Sequence, residues 1–96
     1  TLGEAVVNGL MLTELRTNLE EARKAVLAGL KSPIYYYMEL RQFDLPMLAK
    51  SAGIAAFRVK RHLRPEIFAK LKPSVLDRYA KVLMVTSEEL KTVPNI

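Results

Sequence analysis

Ninety-six residues, half of them hydrophobic, suit one compact domain, because a chain of this length buries roughly two-thirds of its unfolded surface and leaves little for a second core. The absence of cysteine excludes a disulfide framework and any thiolate metal site, and the single histidine, His62, excludes a multi-histidine site within one chain. The net charge of +5 is unevenly spread: residues 1–31 hold four acids and four bases, whereas Lys50 to Lys81 hold nine bases against Glu66 and Asp77, a local excess of seven. Such a field calls for a polyanionic partner, a nucleic acid or an anionic surface. No apolar run reaches the ~18 residues of a membrane span, and the N-terminus lacks the basic start and cleavage site of a signal peptide. A cytoplasmic protein without a membrane partner is expected.

In chain order, residues 2–31 read as helix, with apolar side chains at Leu12, Leu15, Leu19, Ala22 and Val26 and the same register reaching back to Ala5. Glu20 stands four residues before Lys24, a spacing that supports the helix locally. Gly3 and Gly9 weaken the first turns, and Thr13 offers an alternative start for a separate helix. The apolar stripe serves either packing on the rest of the domain or a seam with a second copy.

Ser32 and Pro33 then open a new helix to about Gln42, Ser32 as N-cap and Pro33 on the first helical position. Tyr35, Tyr36 and Tyr37 cannot all face one side of it, so at least one is expected at the surface. Asp44 caps a third helix with Pro46 in its first turn; Leu48, Ala49 and Ala52 face inward, and Gly53 ends it as a left-handed C-cap. Residues 55–63 form a further helix with Val59 as its core residue. After Pro65 a less regular stretch inserts Ile67, Phe68 and Leu71, and "PSVLDRYAKVLMV" makes a last full helix with Val75, Leu76, Tyr79, Ala80 and Leu83 inward. "TSEEL" is a fresh N-cap with acids in the first turn, returning Leu90 to the core. No segment alternates with a period of two, so the fold class is all-α.

The order "DLPMLAKSAGIAAFRVKRHL" followed by "VLDRYAKVLMVTSEEL" resembles the Cro/repressor type of helix-turn-helix domain, the lambda-repressor-like family of phage repressors and many bacterial regulators. The matching features are Leu48-Ala49, Gly53 at the turn, Ile54 after it, Val59, and the downstream "YAKVLMVTSEEL", and the resemblance covers about Ile34 to Leu90. It implies a lambda-repressor-like domain of about five helices at 32–96, with a helix-turn-helix over Asp44 to Leu63. Residues 1–31 then form an N-terminal helical extension and candidate dimerisation element. The chain departs from the family's pattern at Leu45, where a glutamine often grips phosphate, and at Met84, where a glycine is usual. An Arg–Glu pair of some phage members is replaced by Met38 and Leu63. His62 falls at a usually buried apolar position and is assigned a packing role.

The function implied is sequence-specific binding of double-stranded DNA by a transcriptional regulator that inserts helix 55–63 in the major groove, acting as a homodimer through the N-terminal helix. Ala56, Phe57, Lys60 and Arg61 are the candidate base contacts, with Arg61 suited to guanine and the apolar pair to a thymine methyl. Arg58, Arg64, Lys70 and Lys72 are the candidate phosphate contacts. No enzyme motif is present, so neither catalytic residues nor a cofactor are expected. The alternative is a protein-interaction module that keeps the fold without reading DNA, for which Leu45, Ala56 and Phe57 on the groove face speak.

Overall fold

Helix ends, more than helix interiors, set the architecture. The computed structural model describes the backbone of residues 2–94 and the side chains of residues 14–94, and within that range the chain is all-helical with no strand. The helices are α1 (Leu2–Leu27), α2 (Pro33–Arg41), α3 (Leu45–Ala52), α4 (Ala56–His62), α5 (Pro65–Phe68), α6 (Pro73–Leu83) and α7 (Ser87–Leu90). Prolines 33, 46, 65 and 73 stand in the first turns of α2, α3, α5 and α6, where a missing N–H has no intrahelical partner to lose. Asp44 caps α3 by accepting from the Met47 N–H at 2.8 Å, and Thr86 and Glu89 form a reciprocal capping box at the start of α7.

The opposite ends close with one device. Among the described residues positive φ occurs at Gly29 (77°), Gln42 (57°), Gly53 (68°) and Met84 (59°), each just beyond a helix. The next N–H then reaches back five residues: Leu30 to the Ala25 carbonyl at 2.9 Å, Phe43 to Met38 at 2.9 Å, Ile54 to Ala49 at 3.0 Å and Val85 to Ala80 at 3.0 Å. This device corrects the expectation of helix to residue 31, because Gly29 turns the chain and α1 stops at Leu27. Helix α1 also runs unbroken through Gly3, Gly9 and Thr13, so no second helix starts there. At the far end of α6 the Arg41 guanidinium donates to the carbonyls of Leu83 (2.8 Å) and Met84 (3.3 Å), satisfying acceptors that the helix leaves free.

The core gathers Ile34, Leu48, Val59, Tyr79, Leu83 and Leu90, all fully buried. Helix α6 supplies it at three- and four-residue spacing through Leu76, Tyr79, Ala80 and Leu83, as its sequence pattern requires. On α1 the stripe packs inward at Ala22, with Leu19 and Val26 half-buried against the same core; the side chains of Ala5 and Leu12 lie outside the described residues. Met38 and Leu63 are both buried in this core. Of the tyrosine run only Tyr35 is partly exposed, beneath the Lys31 ammonium; Tyr36 and Tyr37 are buried, and the Tyr37 hydroxyl lies 2.9 Å from each of the carbonyls of Glu89 and Thr92.

Three buried polar residues tie α2, α4 and α6 together. Ser32, at the N-cap position of α2, makes no side-chain cap; its hydroxyl donates to the His62 carbonyl (2.8 Å) and its N–H to the Leu63 carbonyl (2.7 Å). His62 Nδ1 and the Tyr79 hydroxyl are 2.6 Å apart. Tyr79 is completely buried and burial keeps its proton on, so its hydroxyl and the imidazole are each other's buried hydrogen-bond partner. Burial, then the neighbouring Arg58 and Arg61, hold the His62 pKa below its ordinary value.

Because φ near 60° strains any residue with a Cβ, Met84→Gly and Gln42→Gly are each expected to stabilise the fold by about 0.5–1 kcal/mol and Gly53→Ala to cost about 1 kcal/mol, read from urea midpoints. A Cβ at Gly53 would meet only the Arg78 guanidinium at 3.9 Å, so that cost is conformational rather than steric. Ser32→Ala leaves a buried carbonyl without its hydroxyl donor and is expected to cost about 1–3 kcal/mol. For His62 the depressed pKa means that the unfolded chain binds the proton more readily. Its contribution to stability is therefore complete above about pH 6.5 and declines as the pH falls below that value. Thermal melts of the native chain should show this decline, and His62→Gln should flatten it.

Candidate nucleic-acid interface

The candidate site is built on the segment from Asp44 to Arg64. Helix α3 is pinned by its Asp44 cap and by burial of Leu48, Ala49 and Ala52, and the left-handed Gly53 sends the chain into α4 with Ile54 buried beneath the turn. Helix α4 has only seven residues, and Ala55 at its N-cap offers no side-chain acceptor. It is held instead by its inner face, where Val59 and His62 are buried, and by the two Ser32 hydrogen bonds at its C-terminus. Helical geometry then leaves Ala56, Phe57, Arg58, Lys60 and Arg61 exposed, with Phe57 69 % accessible.

Two grooves flank this helix. One, of about 540 Å³, brings Phe57, Lys60, Arg61 and Arg64 together with Leu30 and Lys31 from the α1–α2 connection, Leu45 from α3 and the buried Leu63. The other, of about 440 Å³, brings Arg58 to Lys70, Lys72, Ser74 and Arg78, with Ile54, Leu71 and Val75 as its apolar part. The eight residues expected from the sequence are thus divided: the base-contact candidates Phe57, Lys60 and Arg61 share a groove with the phosphate candidate Arg64, whereas Arg58, Lys70 and Lys72 lie in the other. Ala56 is exposed at the start of α4 and lines neither. Sequence reading missed Leu30, Lys31, Ser74 and Arg78. Arg78 carried a signal in the basic excess of residues 50–81, whereas Lys31 sits in the charge-balanced first third and becomes visible only once the chain is folded.

Neither groove is lined by an acid. Among the described residues Arg58, Lys60, Arg61, Arg64, Lys70 and Lys72 form no ion pair; the pairs Glu20–Arg23 and Glu88–Lys91 lie elsewhere. Of the two acids in the basic segment, Asp77 accepts a hydrogen bond from the Ser87 hydroxyl and Glu66 sits in the first turn of α5. Arg78 reaches over the turn to the Gly53 carbonyl at 3.5 Å. A third cleft, of about 370 Å³ between α1 and the end of α2, has the opposite sign, lined by Glu14, Glu39 and Asp44 with Leu15 and Phe43. The three concavities thus differ in sign, with cations in the two that flank α4 and carboxylates in the one between α1 and α2.

His62 is buried against Tyr79, its Nδ1 paired with the phenol hydroxyl and its ring meeting the Tyr79 ring edge-on at 5.7 Å between centroids. Among the described residues no three His, Cys, Asp or Glu side chains come together as a metal site, and no helix is long and apolar enough to cross a membrane. Comparison of the chain with protein-family models, with curated proteins and with solved structures returns no match.

Proposed function

We propose that the chain is a sequence-specific DNA-binding domain of the lambda-repressor-like helix-turn-helix type, a transcriptional regulator that lays α4 in the major groove. The observation that carries this reading is the division of α4 into a buried face, Val59 and His62, and an exposed face whose two flanking grooves hold unpaired cations and no acid. A phosphate backbone rewards that arrangement, because each neutralised phosphate releases condensed counterions. Arg61 reads guanine through its two-pronged guanidinium, and Ala56 and Phe57 meet a thymine methyl, with Lys60 beside them. Arg64 tracks one strand from the Phe57 groove, and Arg58, Lys70 and Lys72 track the other from the groove beyond. Reading one half-site with so short a helix favours a homodimer, and α1 is the element that supplies it.

Fluorescence anisotropy with a random duplex and with duplexes selected from a random library, titrated across salt, tests the reading. Affinity should fall steeply with salt. Lys70→Ala and Lys72→Ala should weaken all duplexes alike and each lower the salt slope by about 1, whereas Arg61→Ala should cost about 1–3 kcal/mol on the selected sequence only and relax discrimination at one base pair. Failure to bind any duplex at low salt removes the reading. Sedimentation giving the mass of one chain at high micromolar concentration would remove the dimer and leave the rest.

A further inference from the structure

The groove beside Phe57 joins α4 to an exposed apolar side chain, Leu30, that the proposed DNA contacts do not use. Phe57 is 69 % exposed and Leu30 71 % exposed, and they line the same groove, with the half-buried Leu45 and the buried Leu63 completing its apolar surface. Exposed side chains of this size gathered in one concavity mark a place where another apolar group is buried. Around them stand Lys31, Lys60, Arg61 and Arg64, with no carboxylate in the lining. On α4 itself Phe57 and Arg61 are four residues apart, so anchor and cation share one face, and Arg64, at the N-cap of α5, lines the same groove.

The geometry points to a docking site for an acidic, amphipathic segment of a partner protein, whose large apolar side chains enter between Leu30 and Phe57 while its carboxylates meet Lys31, Lys60, Arg61 and Arg64. Charge complementarity selects the acidic partner, and the concavity of about 540 Å³ selects a segment with side chains to insert over a flat anionic surface. The carboxylates this chain gathers at Glu14, Glu39 and Asp44 line a cleft rather than a projecting segment, which favours a different protein over a second copy as the acidic partner. The inference is independent of DNA reading, since Leu30 and Lys31 belong to the α1–α2 connection and not to α4. Where both hold, partner and DNA exclude one another, because each needs Arg61.

The test uses the full chain and a fluorescein-labelled helical peptide of about 16 residues with leucine and phenylalanine on one face and glutamate on the other. Two control peptides replace the apolar residues by serine or the glutamates by glutamine. The parent peptide is expected to bind at least about tenfold more tightly than either control, and Phe57→Ser and Leu30→Ser are each expected to weaken it about tenfold while leaving the weak binding of the serine control unchanged. Both positions are exposed, and circular-dichroism melts confirm that the variants fold. Equal affinity for the parent and serine peptides would reduce the groove to a bare cationic patch and overturn the inference. So would indifference to Phe57→Ser. Binding to phosphatidylglycerol vesicles with loss on Phe57→Ser, but none to the peptide, would overturn it in favour of a lipid surface.

Discussion

The exposed face of α4 exists because Ser32 holds the helix from behind. A helix of seven residues has no stability of its own, and α4 lacks a side-chain acceptor at its N-cap. Its last carbonyls would be orphans, yet those of His62 and Leu63 receive the Ser32 hydroxyl and N–H from thirty residues earlier in the chain. Val59 anchors the middle of the helix in the core, and the Tyr79 hydroxyl fixes the His62 imidazole. Each buried polar side-chain atom of this cluster has a hydrogen-bond partner, which offsets the cost of its burial and ties α4 to α2 and α6. Phe57 and Arg61 therefore project from a helix anchored on its inner face and at its C-terminus.

The same tie explains why residues of the α1–α2 connection belong to the site. Fixing Ser32 beneath α4 brings Leu30 and Lys31 alongside Phe57 and Arg61, so the groove there is made jointly by two distant stretches of chain. Its counterpart beyond α4 depends on α6, whose first turn and Arg78 stand against Arg58, Lys70 and Lys72. Cations that read as one basic run thus become two separate concavities with different character, one with large exposed apolar side chains and one centred on four bases and a serine. The cleft between α1 and the end of α2 differs from both in being lined by Glu14, Glu39 and Asp44.

Much of the fold was legible because it is written in local backbone chemistry. Asp44, Pro46 and Gly53 bracket α3, Thr86 with Glu89 starts α7, and prolines 33, 65 and 73 open their helices, all through interactions within a few residues. Gly29 carries an equally plain stop signal, a glycine that takes the left-handed conformation just past Leu27. Met84 and Gln42 were opaque as C-caps, since neither residue type advertises a left-handed conformation and only the reach of Val85 to Ala80 and of Phe43 to Met38 imposes it. Ser32 was rightly placed at a helix start but wrongly assigned its partner, because a cap acceptor and a buried long-range donor are the same hydroxyl.

By itself, then, the sequence determined an all-helical chain, the positions of its turns, the inward stripe of α6, the burial of Val59 and a cationic segment exposed around it. Periodicity and capping determine these because they act along the chain, where neighbours are known in advance. Only the tertiary structure decided that Arg58 parts company with Arg61, that Leu30 and Lys31 join Phe57, and that His62 pairs with Tyr79. Those outcomes rest on contacts between distant residues, such as Ser32 with His62 thirty positions on and His62 with Tyr79 seventeen on, whose formation depends on how whole helices pack and on no local spacing.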